Sequence, residues 1–471
     1  MSDEPHGSPE ASSPPDVQQP VPEPWKFSDR LWSLSRRLTP QSVNYYLQVR
    51  SAKSIPHTIR ARFTAMLIPA ETIDRALSEV HRLDDWVGAW SRAAQRFMAE
   101  SRREETAGDW EASAVARRNA AMCYHAAHLV TEDDPRIVRA LRASAVQAFS
   151  QAITRLVPGA RRVGIPWRTR RLPAYLSVPH DATESAPLVV MLNGATTTKE
   201  ETFLWSDAFR NRGFAVLALD WPGTGEAADG QPLSSYCDDM TDGILALAAS
   251  EPNIDEGSVA FLGMSLGGVV AIRAAATDRR IGAVIAITPP YDPRPWHNSI
   301  NPLVAQQLVS LAGQSSLAPD LIADFSLPDV VGRVRCPTLV FGAARDLVVP
   351  PEESMKLTSA LGELGTLVWY PDGSHGLYDR VDDWSTVATE WLATLFDMPS
   401  LESHEEPEAD RDDSTQVDAS LPPGEDRVVA VQPARNPDRE SDPVDLPEGV
   451  DEAESDAGHQ PKSPPVPEPP R

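Results

Sequence analysis

Cysteine is scarce in this chain: three residues in 471, Cys123, Cys237 and Cys336, far apart in sequence. That spacing offers neither a disulfide framework nor a CxxC-type metal site, and it fits a reducing compartment; no metal and no cofactor is expected. Basic residues are also short: 43 Lys and Arg against 68 Asp and Glu leave a formal net charge of −25. Sequence-independent nucleic-acid binding needs clustered Lys and Arg to neutralise phosphates, so the balance argues against it. The one basic cluster, "ARRVGIPWRTRRL" at 160–172, alternates with apolar residues and reads as the outer face of a strand pair. No stretch approaches the roughly 18 consecutive apolar residues of a membrane span. The N-terminus lacks the charged-then-apolar pattern of a secretory signal. The expectation is a soluble, cytoplasmic protein with a small-molecule substrate, no nucleic acid and no membrane; a homodimer is the one assembly considered.

Large apolar side chains are missing from both ends. Residues 1–26 are rich in Pro, Ser and acid, cannot offset the entropy of ordering, and read as disordered. The same composition returns at 401–471, an acidic, Pro-rich tail with 20 acids against 6 bases, about −14 of the total charge. What lies between divides by period. From 27 to 157 apolar residues recur three and four apart, as in "WEASAVARRNAAMCYHAAHLV", which predicts an all-helical segment. From 158 to 400 the pattern changes. "ARRVGIPW" and "LPAYLSVP" read as paired short strands. Six continuous apolar runs follow, "PLVVMLNG", "FAVLALDW", "VAFLGMS", "IGAVIAITPP", "PTLVFGAA" and "GTLVWYPDG", most of them separated by helical stretches. Such alternation predicts an α/β fold with a mostly parallel sheet covered on both faces, and ligands beyond the carboxyl ends of its strands. The irregular segment 291–332 reads as a lid insertion.

Within "VAFLGMSLGGVV" the residues Gly263 to Gly267 match GxSxG at a strand-to-helix corner. There a sharp turn pushes the serine above the sheet, and the helix start offers unpaired N–H groups to a developing oxyanion. Ser265 is the candidate nucleophile; the alternative is an idle serine in a packing turn. A serine hydroxyl needs a base and the base an orienting acid, in the order Ser, Asp or Glu, His for this architecture. Four histidines follow Ser265: His297 lies in the irregular insertion, His404 and His459 in the tail, and His375 in "YPDGSHGLYD", a glycine-flanked loop after the last strand. His375 is the base. Asp346, in "TLVFGAARDLVVPPEE", follows the preceding strand and is the acid, whereas Asp320, Asp324 and Asp329 lie in the insertion. The backbone N–H of Leu266 and one near Ala195, in "LNGATTTKEE", are the candidate oxyanion donors. In "LDWPGTGEA", Asp220 reads as a turn former, while Glu226 is either a solvated loop residue or a carboxyl near the serine.

Together "NGATTTKEE", "DWPGTGE", "GMSLGG", "GARDLVVP" and "GSHGLYD", in that order, resemble the α/β-hydrolase superfamily, and more narrowly the FrsA-like esterases with an N-terminal helical domain. The resemblance covers about 30–400 and implies that the helical segment 27–157 is a cap that packs over the catalytic domain 158–400 and closes its pocket. It also implies a catalytic part for Glu226, assisting cleavage of a carbon–carbon bond beside a ketone. The oxyanion loop departs from several relatives, reading "GATTT" where they are closer to "GLEST". The expected function is a serine hydrolase working through an acyl-enzyme, on a ketone or polyketide-type carbon–carbon bond. The alternatives are a carboxylesterase, thioesterase or acyltransferase with the same residues, or a scaffold whose tails recruit partners. Trp86, Trp90, Tyr124 and His125 are candidates to line the pocket, although at helical spacing such residues are more often core.

Overall fold

In a computed structural model the described residues are 39–50, 57–130, 134–179, 185–229, 231–399 and 429–431. The disorder expected for 1–26, and for 401–471 apart from 429–431, falls outside them.

The helical period of the first part becomes three long helices after shorter ones at Pro40–Arg50, His57–Ala65 and Ala70–Ser78. Local signals set their ends. Trp86–Ala107 stops at Gly108, whose φ of 83° favours glycine. Trp110–His128 begins with Asp109 accepting the Ala112 N–H at 2.9 Å, and Pro135–Leu156 begins with Asp134 capping and proline in its first turn. Alanine-rich faces (Ala89, Ala93, Ala120, Ala121, Ala148, Ala152) let these helices approach closely. Trp86 and Trp90 stack with Phe63 in the middle of this layer, so both are core rather than pocket lining. The same apolar cluster runs on into Tyr175, Phe203 and Ala218, so the helical layer and the sheet share one core.

The apolar runs become β3 (Ala186–Leu192), β4 (Ala215–Leu219), β5 (Ile254–Met264), β6 (Ala283–Ile287), β7 (Thr338–Ala343) and β8 (Gly365–Tyr370), as the sequence predicts. They follow the hairpin β1 (Arg161–Trp167) and β2 (Arg170–Ser177). Val429–Val431, inside the stretch read as a disordered tail, form β9. The order is β1-β2-β4-β3-β5-β6-β7-β8-β9, parallel from β4 to β8 and antiparallel at β1/β2, β2/β4 and β8/β9. β3, β4, β6 and β7 are buried along their whole length, which is why they read as continuous apolar runs rather than alternating ones.

β3 pairs with β4 on one side and β5 on the other, so the crossover direction reverses there and leaves a crevice beyond their carboxyl ends. The segment 291–332 folds largely as short helices, Pro302–Leu311, Pro319–Asp324 and Pro328–Val331. Gln307 Nε2 donates to the Leu129 carbonyl and ties this segment to the helical layer. The basic hairpin faces outward as expected and is ion-paired: Arg161 to Glu251, Arg162 to Glu226 and Arg168 to Asp239. Among the described residues no helix is long and apolar enough to cross a membrane.

Candidate active site

Ser265 stands between β5 and the helix Leu266–Thr277, half-buried, with φ 51° and ψ −118°. A non-glycine residue held there is strained, by about 1–3 kcal/mol, and persists only because its surroundings fix it. Those surroundings are specific. A Cβ on Gly263 would come within 2.1 Å of the Gly267 carbonyl oxygen, and one on Gly267 within 2.4 Å of the Leu192 oxygen, so only glycine fits either position. The Ser265 N–H donates to the Ile287 carbonyl at 2.8 Å, fastening the corner to the end of β6.

Asp346 and His375 meet beyond the ends of β7 and β8. His375 Nδ1 lies 2.7 Å from Asp346 Oδ2, and the other oxygen of Asp346, Oδ1, accepts the N–H groups of Val348 and Val349 at 2.8 and 2.9 Å. The carboxylate, 2 % exposed, is an acceptor only, so Nδ1 carries a hydrogen, and in the neutral ring the lone pair lies on Nε2. No hydrogen bond joins Ser265 Oγ to His375 among the described residues; what links their loops is Thr288. Its neighbour Ile287 holds the serine N–H, and its own Oγ1 accepts the Gly376 N–H at 3.1 Å. Thr288 has φ 44°, a conformation that a β-branched residue avoids and that nothing in the string "ITPP" announces.

The loop after β3 lies against the serine: a Cβ on Gly194 would be 3.6 Å from that of Ser265. Neither the Ala195 nor the Leu266 N–H makes a backbone hydrogen bond among the described residues. Asp220 fixes this loop from behind and is fully buried. It accepts the Lys199 N–H at 2.7 Å, Lys199 Nζ at 2.9 Å and the Glu226 N–H at 2.9 Å, which makes it the turn former that its position suggested. Burial alone would lower the Lys199 pKa, but the carboxylates of Asp220, Glu200 and Glu226, with the Tyr175 hydroxyl, hold it well above its ordinary range.

Among the described residues Glu226 makes no hydrogen bond to Ser265 or His375. One carboxylate oxygen pairs with Arg162 and the other lies 3.0 Å from Lys199 Nζ, so the side chain turns toward the β1–β2 hairpin. The physical reason is charge: a guanidinium and a buried ammonium both stand on that side of the loop.

Arg62, Glu201 and His128 escaped sequence reasoning. Arg62 reaches from the helix His57–Ala65 to Glu201, with Nε–Oε1 and Nη2–Oε2 both 2.9 Å. It also donates to the Thr196 carbonyl at 2.9 Å and to Thr196 Oγ1 at 3.2 Å. Its guanidinium carbon sits 5.4 Å from the ring centre of Tyr378, three residues past His375. One cation of the helical layer therefore touches both the Ala195 loop and the histidine loop. Burial pushes the Tyr378 phenol up to about 12. His125 bridges Glu201 and His128, so it is interior rather than an isolated pocket residue. The available signal was "TTTKEE": three charges in a row at the start of the helix Lys199–Leu204, after the loop that follows an apolar strand, all of them buried.

Comparison with known proteins agrees with this architecture. A model described as "Alpha/beta hydrolase family" matches residues 189–459, and one described as "Esterase FrsA-like" matches 69–293. Hydrolase LUC6 of a Fusarium species is 28% identical over 66% of this chain and 87% of its own. A 2,6-dihydropseudooxynicotine hydrolase of Paenarthrobacter nicotinovorans is 26% identical over 64% of this chain and 83% of its own. The crystal structure of a 2,6-dihydroxy-pseudo-oxynicotine hydrolase superposes with a TM-score of 0.64 at 22% identity, covering 71% of this chain and 95% of that one, which speaks for the fold. A serine corner at the switch point of a parallel sheet, an Asp–His pair at the neighbouring strand ends and a family match over more than half the length lead to one conclusion: the chain belongs to the alpha/beta hydrolase family and is a hydrolase.

Proposed function

We propose that the chain is a serine hydrolase in which Ser265 attacks a substrate carbonyl, His375 takes the serine proton, Asp346 holds the imidazole, and the N–H groups of Leu266 and Ala195 receive the oxyanion. The observation that carries this reading is the 2.7 Å contact from His375 Nδ1 to Asp346 Oδ2. It places a hydrogen on Nδ1, so the neutral imidazole offers Nε2 as the general base, on a loop that Thr288 ties to the serine corner. The oxyanion would then form at the start of the helix Leu266–Thr277, where free N–H groups and the helix dipole favour negative charge.

The substrate class favoured is a ketone of β-dicarbonyl or polyketide type. Collapse of the tetrahedral adduct breaks the bond to the neighbouring carbon, which leaves as an enolate and takes the proton from His375. The acyl group stays on Ser265 until water, deprotonated by His375, releases it as the acid. Support for a ketone comes from the relative named for 2,6-dihydropseudooxynicotine. Ester or thioester hydrolysis, or acyl transfer, is the second reading, and the direction of Glu226 favours it, since that carboxyl faces Arg162 and Lys199 instead of the serine. A fluorophosphonate should label the wild type and leave Ser265→Ala unlabelled; an unlabelled wild type overturns both readings. Rates on a β-diketone and a p-nitrophenyl ester then separate them.

A further inference from the structure

The basic run "RRVGIPWRTRR" of the hairpin β1–β2 takes no part in the proposed reaction, and it borders a cleft of about 450 Å³. Residues facing each other across a hairpin share a side of the sheet, and the register pairs Arg162 with Tyr175, Gly164 with Pro173 and Pro166 with Arg171. At one end of that side Tyr175 is buried with the helical layer; at the other Arg171 is exposed. Between them Gly164 and Pro173 leave a floor without long side chains. A Cβ on Gly164 would come within 2.9 Å of Arg171 Nε, so glycine is what lets Arg171 lie across the floor, where its Nη2 donates to the Gly164 carbonyl at 2.6 Å.

The opposite wall is the turn after β4, with Glu226, Ala227 and Asp229. Charge around the cleft is predominantly positive. Arg162, Arg170 and Arg171 face Glu226 and Asp229 there, and each carboxylate has further cations behind it: Lys199 at 3.0 Å from Glu226, Arg139 and Arg142 at 3.3 and 3.8 Å from Asp229. Lys199 also pairs with Asp220 and Glu200, so the whole cluster sets six cations against four carboxylates, in a chain whose net charge is −25. Arg170 donates to the Asp229 carbonyl at 3.1 Å and Arg171 to that of Gly164, and these bonds hold both guanidiniums at the cleft.

Guanidinium groups bind carboxylate and phosphate oxygens with paired N–H donors, and a cleft of this volume is the size of a small-molecule site rather than of one inorganic ion. Pro173 and Ala227 offer the body of such a molecule an apolar surface. We infer that the cleft is a second binding site, which takes a small organic anion, a carboxylate or a phosphate monoester, on Arg162, Arg170 and Arg171. It lies at the same edge of the sheet as Ser265, since the Asp220 N–H just past the end of β4 donates to the Pro173 carbonyl at 3.1 Å. Three strand spacings from β5 to β2, about 14 Å in all, separate the two, so the anion does not occupy the place of the reacting carbonyl. The inference therefore stands independently of the serine hydrolase reading.

The test is calorimetric titration of the full chain with phenyl phosphate and with benzoate, using benzyl alcohol and benzylamine as neutral and cationic controls of similar size. One of the two anions should bind about tenfold or more tighter than benzyl alcohol and weaken with added salt; the tighter anion identifies the head group. Replacing Arg170 and Arg171 together by Gln should cost that anion about tenfold, while Ser265→Ala should bind it as the wild type does. Equal binding of anions and alcohol overturns the inference, and so does tighter binding of benzylamine, which would assign the cleft to its carboxylates. Unchanged affinity in the arginine variant, or a loss in Ser265→Ala, overturns it as well, because the anion then sits elsewhere. Should the double variant not fold, Arg171→Lys decides: it keeps the charge, loses the paired donors, and should still weaken binding, and unchanged affinity there counts against the site. Fluorophosphonate labelling of Ser265, which decides the proposed function, is a separate readout from all of these.

Discussion

Replacing Arg62 by Leu tests whether the helical layer is part of the active site or only lies over it. In the native chain Glu201 is fully buried, and its ionised carboxylate takes two charge-assisted hydrogen bonds from Arg62. Burial would raise the Glu201 pKa, but the Arg62 charge and the His125 contact outweigh it and hold the carboxyl below its ordinary range. Removing one partner of a buried pair leaves the other uncompensated and costs about 3–5 kcal/mol. At about 2 °C per kcal/mol for a large domain, Arg62→Leu should melt roughly 6–10 °C lower at pH 7. The pH dependence has a definite sign. A carboxyl with a depressed folded pKa adds stability above its unfolded value, near about 4.3, and loses it as pH falls through the folded pKa. In the variant, burial of Glu201 is opposed only by the His125 contact, so its folded pKa rises, and acidification toward that value relieves the strain. The gap in melting temperature should therefore narrow between pH 7 and pH 5. Thr196 loses two donors in the same variant, so fluorophosphonate labelling of Ser265 should slow at temperatures where the variant is still folded. Circular dichroism melts at the two pH values, with labelling rates alongside, measure all of this. A variant melting within 2 °C of wild type, or a gap that does not close in acid, would refute the reasoning.

Three further outcomes are expected. Gly267→Ala places a Cβ 2.4 Å from the Leu192 oxygen and 2.5 Å from that of Asn193, so it should abolish labelling of Ser265 and lower the yield of folded protein, as read by gel filtration. Thr288→Val removes the acceptor of the Gly376 N–H and should cost about 1–3 kcal/mol in urea unfolding, with kcat falling more than KM changes because the His375 loop loses its tie to the serine corner. Glu226→Gln should reduce turnover of a β-diketone and of a p-nitrophenyl ester by similar factors, since the carboxylate touches Lys199 and Arg162; a loss confined to the ketone would instead restore a direct part in carbon–carbon cleavage.

The sequence by itself determined the strands, because a parallel strand buried on both faces must be apolar along its whole length, as β3, β4, β6 and β7 are. It also determined which serine, aspartate and histidine to examine, because a tight corner demands glycine and because loops after strands converge at one edge of a parallel sheet. Side-chain direction at charged positions was beyond it. What Glu226 faces depends on where Arg162 and Lys199 lie, and those cations come from β1 and from the start of the helix Lys199–Leu204. Only the tertiary structure decided that Arg62 reaches Glu201 across 139 positions, or that two histidines on one helix line up behind that carboxylate. A periodic helix announces which face is buried, and what that face meets is set by the folding of distant segments onto one another.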